Sequence, residues 1–316
     1  MRTGDIKITG VVGAGTMGHG IALNFALSGY RVMLCDVSDG ILERAVTDMR
    51  KALDLFQDEG LVTGDEAERA MSKVSVTTGL EDLAGSSDFI TEAIVERSGD
   101  KRRLFNRLDE ICAPETILAS NTSWLVLSDF ASEVKRQDRV IITHYFAPPH
   151  IVPGVEVCGG PGTSAETYEA TCRLMERTGK IPIRVRKERT GHIINRLQDA
   201  MRHEANVLWA EGVASAEDIE LGIVTTCGFR MPFEGSMKHF DIAGMWRWPK
   251  DVLDGYAENE ADESWGLSPE LVRKIRDRYA EGKPWFLDPD RFEEEVEKRD
   301  RDLIRRLKAL YPGKKE

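Results

Sequence analysis

The chain is expected to adopt an α/β fold: a doubly wound sheet with a helical arm inserted into it, followed by an all-α domain. Three observations carry this expectation. Short apolar runs of strand length alternate with amphipathic helical stretches over the first part of the chain, the first run ends directly in a glycine-rich turn that opens a helix, and strand patterns stop near residue 187 while helical spacing continues. Residues 1–187 are therefore assigned to the sheet domain and residues 188–316 to a helical one, and a length of 316 residues suits two cores better than one.

In order, Ile6 to Val12 has a strand pattern and leads into Gly13-Ala14-Gly15-Thr16-Met17-Gly18, after which Ile21 to Leu27 has helical spacing. Strand, glycine turn and helix form the fingerprint of a Rossmann-type dinucleotide site. Gly13 would make the tight turn, Gly15 would let a pyrophosphate reach the backbone, and Gly18 would let helix and strand pack closely. Thr16 and Met17 complete the loop, and the helix N-terminus offers free N–H groups to phosphate. The next strand, Arg31 to Cys35, ends in Asp36, eighteen residues past Gly18. A carboxylate there binds both ribose hydroxyls and repels a 2′-phosphate, which favours NAD over NADP.

Ser38 to about Glu59 reads as a long amphipathic helix, with Ile41, Leu42, Ala45, Met49, Leu53 and Phe56 apolar, and Asp65 to Met71 as a second helix after a glycine turn. This pair exceeds a standard crossover and reads as the inserted arm. Val74 to Thr77, Asp88 to Ala93 and Thr116 to Ser120 return to strand pattern around a helix from Asp100 to Cys112. Past Ser120 comes the polar cluster Asn121-Thr122-Ser123 at a strand's carboxyl end, where open α/β sheets bind ligands. Asn121 is assigned to the cofactor and Ser123 to a substrate oxygen, although the same cluster could merely cap the following helix.

Arg139 to His144 is the next strand, and Val155 to Cys158 carries Glu156, twelve residues after His144. An imidazole that takes a proton from an alcohol needs a partner to fix its tautomer and stabilise the imidazolium, and a carboxylate does both. Pro148, Pro149 and Pro153 stiffen the connection so that the two residues can face each other on neighbouring strands. A helix from Ala165 to Thr178 and a strand from Ile181 to Val185 precede the basic linker RKER. Gly191 to Gly212 then reads as a long helix with Asn195 near its start, where it could face the cleft. Helices are expected at Ser215 to Leu221, Pro249 to Tyr256, Ser268 to Glu281 and Phe292 to Leu310, the last charged all round, with GFRMPFEG and GKPWFLDP as loops. Trp246, Trp248 and Trp285 require cover, either in the core or at a subunit interface.

Composition excludes several classes. A net charge of −11, from 43 basic and 54 acidic residues, disfavours nucleic acid and anionic membrane as partners and leaves a small molecule. Apolar runs such as Ile117 to Ala119 are far too short for a membrane span, and the N-terminal order is not that of a signal peptide, so a cytoplasmic location is expected. Cys35, Cys112, Cys158, Cys172 and Cys227 are scattered, odd in number and without CxxC, which indicates reduced packing residues, no disulfide framework and no metal site.

The VVGAGTMGHGIA fingerprint, TEAIVER with a following lysine, SNTS, His-x-Phe…Pro…Val-Glu and GHIINRL occur in the order found in the 3-hydroxyacyl-CoA dehydrogenase family, which the chain resembles over nearly its whole length. The resemblance implies an NAD-dependent oxidation of a 3-hydroxyl to a 3-keto group, with His144 as general base, Glu156 as its partner, and Ser123 and Asn195 holding the substrate oxygen. It places Glu96 and Lys101 near the cofactor and the closing cleft, and it implies a homodimer formed through the helical domain. Ala147 stands where the family usually has Asn, and Asp54-Leu55-Phe56 stands where acyl-CoA enzymes can carry lysines, while Arg50 and Lys51 remain on the arm as candidate phosphate contacts. PPHIVPGVE, INRLQ and GFR resemble the branch containing L-gulonate 3-dehydrogenase and lambda-crystallin, and PPHI an enzyme of a pyridine carboxylate, which makes Arg230 a candidate anchor for a free carboxylate. The substrate is thus a hydroxyacyl thioester or a free hydroxy acid.

Overall fold

The computed structural model describes residues 6–260 and 267–310. The first five residues, which entered the reading of the N-terminus, lie outside them. Packing divides the chain into two compact units, Met1–Arg202 and His203–Glu316.

The first unit is built on strands β1 (Ile8–Val12), β2 (Arg31–Cys35), β3 (Val74–Thr77), β4 (Phe89–Glu92), β5 (Ile117–Ser120), β6 (Val140–Tyr145), β7 (Gly154–Gly159) and β8 (Ile181–Val185). They form one eight-stranded sheet in the order β3-β2-β1-β4-β5-β6-β7-β8. All neighbours pair in parallel except β6 and β7, which are antiparallel. The order reverses between β1 and β4, and at such a switch point the loops part to leave a ligand crevice at the carboxyl ends.

Helices α1 (Gly18–Leu27), α2 (Asp39–Asp58), α3 (Gly64–Met71), α4 (Leu80–Ser86), α5 (Ser98–Ile111), α6 (Leu127–Phe130), α7 (Ala165–Arg177) and α8 (Ile194–Ala210) follow in chain order. Residues of α1, α2, α3 and α7 join one buried apolar cluster, which includes Phe25, Met49, Phe89 and Leu174. Those of α4, α5 and α6 join a second, around Leu83, Phe105, Leu108 and Phe130. Two cores on one sheet are what double winding requires. Cutting any of these buried phenylalanines to alanine would cost about 3–5 kcal/mol.

The arm forms because α2 has an apolar stripe, with Leu42, Ala45, Met49 and Leu53 buried. Thr63 and Glu66 then start α3 with a reciprocal capping box. The boundary between units falls inside α8, later than the 187/188 position drawn at the basic linker, because the first turn of α8 is hydrogen-bonded to the sheet unit through Ile193, Ile194 and Asn195.

The second unit contains α9 (Ala216–Thr225), α10 (Cys227–Arg230), α11 (Ser236–Ile242), α12 (Lys250–Glu260), α13 (Pro269–Ala280) and α14 (Phe292–Leu310). Among its described residues the buried apolar ones are Phe240, Ile242, Leu253, Ala257, Val272 and Leu287. Buried Asp241 accepts the backbone N–H groups of Trp285, Phe286 and Leu287, which orders the GKPWFLDP loop. Several expectations are corrected here. GFR is not loop but the helical turn α10, and Cys227 on it is exposed, unlike the other four cysteines. Of the tryptophans left open between core and subunit interface, Trp246 is half-buried under Arg247, while Trp248 and Trp285 are exposed. The last helix is not charged all round, since Ile304, Leu307 and Leu310 lie exposed on it.

No helix among the described residues is long and apolar enough to cross a membrane. No group of three or more His, Cys, Asp or Glu among them could hold a metal ion.

Candidate active site

The glycine turn is shaped by three separate constraints. Gly13 has φ +97°, and a Cβ there would lie 2.5 Å from the Ala93 carbonyl oxygen. A Cβ on Gly18 would lie 1.7 Å from the Gly13 oxygen, so α1 could not start so close to β1. A Cβ on Gly15, in contrast, would meet nothing within 4 Å. Packing within the chain therefore explains Gly13 and Gly18 but not Gly15, whose bare backbone opens on the cleft. Asp36 closes the turn from β2: its carboxylate accepts Ala14 N–H at 2.7 Å and Val37 N–H at 2.7 Å. These residues fit a dinucleotide: the open backbone at Gly15 and the N-terminus of α1 would suit a pyrophosphate, and the Asp36 carboxylate would suit ribose hydroxyls.

From the glycine turn a cavity of about 600 Å³ runs past Val95, Glu96, Asn121, Ser123 and Asn195 to His144. His144 and Glu156 are directly opposed residues of the antiparallel β6–β7 pair, so the register itself faces their side chains. His144 Nδ1 lies 2.8 Å from Glu156 Oε2, and both residues are buried. The other oxygen, Oε1, accepts the Ile193 and Ile194 N–H groups at the start of α8, each at 2.9 Å. Burial alone would raise the Glu156 carboxyl, but the hydrogen bonds from His144, Ile194 and Ile193 outweigh it and hold the group below its ordinary value. An ionised Glu156 can only accept, so His144 carries a proton on Nδ1, and in its neutral form the lone pair is on Nε2.

The loop between the pair is anchored from below. Buried Lys180 donates to the carbonyls of Pro149 at 2.6 Å and Val152 at 2.7 Å, and desolvation brings its ammonium down to about 8. Phe146 packs on His144 with ring centroids 4.4 Å apart.

Ser123 and Asn195 both line the cavity, and Asn195 Nδ2 donates to the Ser123 carbonyl at 2.7 Å. Asn121 also lines it and accepts Tyr145 N–H at 2.9 Å, fixing the strand end next to His144. Glu96 accepts the N–H groups of Ser123 and Trp124, each at 3.1 Å, so it shapes the Ser123 loop while lining the cavity. Burial would raise Glu96, but Thr122 and Lys101 lower it overall.

Lys101 is not among the residues that line the cavity, but it pairs with Glu96, which is one of them. Lys101 is 1% exposed, with Nζ 2.6 Å from Glu92 and 3.1 Å from Glu96, because a buried ammonium must be paired. Glu92, at the end of β4, was not singled out in the sequence. Its Oε1, which pairs with Lys101, also accepts Ile94 N–H at 2.8 Å, and its Oε2 accepts Ser120 Oγ–H at 2.6 Å. Its place at the head of TEAIVER, at a strand's carboxyl end, was the available signal.

Arg50 and Lys51 are exposed on α2, each paired with a carboxylate of its own arm, Glu68 at 3.3 Å and Asp48 at 3.2 Å. Arg230 lies in the second unit, its Nε 4.0 Å from buried Glu234 and its guanidinium beside His239. His239 Nδ1 is 2.9 Å from Glu234, and Arg230 Nη1 is 3.1 Å from His239 Nε2.

A glycine-turn sheet whose crevice ends in a buried histidine–carboxylate pair defines an NAD-dependent oxidoreductase. The 3-hydroxyacyl-CoA dehydrogenase, NAD binding domain family matches residues 8–189, and the chain belongs to that family. Human mitochondrial hydroxyacyl-coenzyme A dehydrogenase is 35% identical over 262 residues, covering 81% of this chain and 82% of that protein. Lambda-crystallin from Oryctolagus cuniculus is 32% identical over 316 residues, covering 97% and 96%. The solved structure of (S)-3-hydroxybutyryl-CoA dehydrogenase from Ralstonia eutropha is similar with a TM-score of 0.68 and 30% identity, over 85% of this chain and 93% of that one.

Proposed function

We propose that the protein oxidises the 3-hydroxyl of a 3-hydroxyacyl substrate to the 3-keto product, with His144 as general base. The observation that carries this is the His144–Glu156 pair, buried at the far end of the cavity that begins at Gly15. NAD+, which Gly15, Thr16, Met17 and Asp36 would hold, would supply the hydride acceptor for the carbon that bears the hydroxyl. His144 Nε2 takes the hydroxyl proton, and Glu156 stabilises the imidazolium that results. Ser123 and Asn195 supply donors where negative charge grows on the substrate oxygen. Glu96 and Asn121 keep the loop and the strand end in register, which fixes the distance between base and substrate.

The acyl carrier is the finer question. Relatives named for CoA esters favour a thioester, with Arg50 and Lys51 as phosphate contacts. A free hydroxy acid is the second reading, with Arg230 as the carboxylate anchor, its partly exposed guanidinium lying beside His239 and 4.0 Å from Glu234. The reading includes a homodimer through the helical segments, supported by exposed Trp209, Leu221, Trp248 and Phe286. It also includes a cytoplasmic location, in keeping with the free thiols of Cys35, Cys112, Cys158 and Cys172.

The test is NADH formation from NAD+ with 3-hydroxyacyl-CoAs of graded length beside free 3-hydroxy acids, including gulonate and carnitine. Reduction with thioesters alone supports the first reading, and reduction with free acids alone, lost in Arg230→Met, supports the second. No reduction across the panel would refute the dehydrogenase assignment in favour of a cofactor-binding protein.

A further inference from the structure

One residue of the sheet unit is odd on three counts. His192 is the one non-glycine residue among those described with a left-handed backbone, at φ 49°. It is 2% exposed, and its Nδ1 is a buried atom with no hydrogen-bond partner. Its ring centroid lies 5.5 Å from that of His144. An uncommon backbone conformation and an unsatisfied polar atom are both unfavourable, and such features persist where the surrounding structure over-determines them.

The surroundings show what holds His192 there. Gly191 N–H donates to the Trp124 carbonyl at 3.0 Å, His192 Nε2 lies 3.3 Å from the Thr122 carbonyl, and Asn195 Nδ2 donates to the Ser123 carbonyl at 2.7 Å. Three consecutive carbonyls of the Ser123 loop are thus taken by one short segment. The two residues between, Ile193 and Ile194, give their N–H groups to Glu156. The left-handed turn at Gly191 and His192 lets the segment face the loop first and the carboxylate next.

We propose that His192 is a positioning residue of the active site, holding the Thr122 carbonyl so that the loop carrying Ser123 stays in register with the His144–Glu156 pair. A carbonyl only accepts, so Nε2 carries the proton and Nδ1 is the bare nitrogen. Of the two, a bare acceptor is the cheaper group to bury unpaired. Burial first, and His144 in its protonated form second, lower the affinity of this imidazole for a second proton and favour the neutral ring, while Glu156, the Thr122 carbonyl and Glu96 act in the opposite direction. The inference rests on the dehydrogenase reading for its effect on turnover, while the hydrogen bond stands without it.

The test therefore has two arms. In protein labelled with ¹⁵N-histidine, the His192 ring, identified by the signals lost in His192→Gln, is expected to show a protonated Nε2 and a bare Nδ1 at pH 7. A proton on Nδ1, or on both nitrogens, would overturn the proposal whether or not a substrate is known. In kinetics, His192→Phe keeps the ring volume and loses the donor. It is expected to lower kcat by about tenfold, less than the ~100-fold of a full 1 Å misplacement, with the NADH dissociation constant unchanged. His192→Gln, whose amide can reach the carbonyl, is expected to recover most of the loss. Wild-type kcat in His192→Phe, or no recovery in His192→Gln, would refute the positioning role. An inactive wild-type protein would instead refute the dehydrogenase reading and leave the first arm to decide the hydrogen bond.

Discussion

His144 and Glu156 are opposed residues of one antiparallel register, and their 2.8 Å contact occupies the one Glu156 oxygen that the Ile193 and Ile194 N–H groups leave free. The carboxyl is held below its ordinary value near 4.5, so it contributes stability that is present above that value and lost as pH falls through the lower, folded value. Glu156→Gln is therefore expected to melt below wild type at pH 7, with the gap narrowing as pH is brought below about 4.5. Calorimetry at a series of pH values checks this, and a gap that widens on acidification would show that Glu156 is not ionised in the fold.

Lys101 and Glu92 form the buried ion pair that joins β4 to α5. Removing one partner strands a charge in the core, so Lys101→Met is expected to cost about 3–5 kcal/mol, read from urea unfolding. Converting Glu92 to Gln in the same chain should return much of that loss. Stability unchanged in Lys101→Met would mean that the ammonium is not needed by Glu92 and is free for another role.

The glycine turn separates folding from binding. Gly13→Ala meets the Ala93 backbone and a left-handed φ, and is expected to destabilise the fold. Gly15→Ala meets nothing, so its unfolding free energy should stay within about 0.5 kcal/mol of wild type. Its NADH dissociation constant should nevertheless rise at least about tenfold, equivalent to about 1.4 kcal/mol. Unchanged NADH binding in Gly15→Ala would remove the pyrophosphate from that face.

The parallel sheet, the glycine turn and the His144–Glu156 spacing were legible because each is local: strands of apolar residues, a run of six positions and a stiffened connection. The α2 helix was legible from its long stripe, whereas α4, of seven residues between Gly79 and Ser87, is too short for a period to show. The burial of Lys101 was not legible, since its partner Glu92 lies on another element and burial is a tertiary fact. The left-handed turn at His192 was hidden for a different reason. Gly191 announces such a backbone by its composition, but a histidine does not, and its constraint comes from Thr122, seventy positions earlier.

The central claim is that His144 takes the proton in an NAD-dependent oxidation, and His144→Gln tests it most directly. The measurement is NADH formation by wild type and variant on whichever hydroxyacyl or hydroxy-acid substrate the wild type oxidises, beside NADH titration of both proteins. Loss of the base is expected to lower kcat by about 10²–10⁴-fold, with the NADH dissociation constant within about twofold of wild type. Turnover in His144→Gln within a few-fold of wild type would contradict the account.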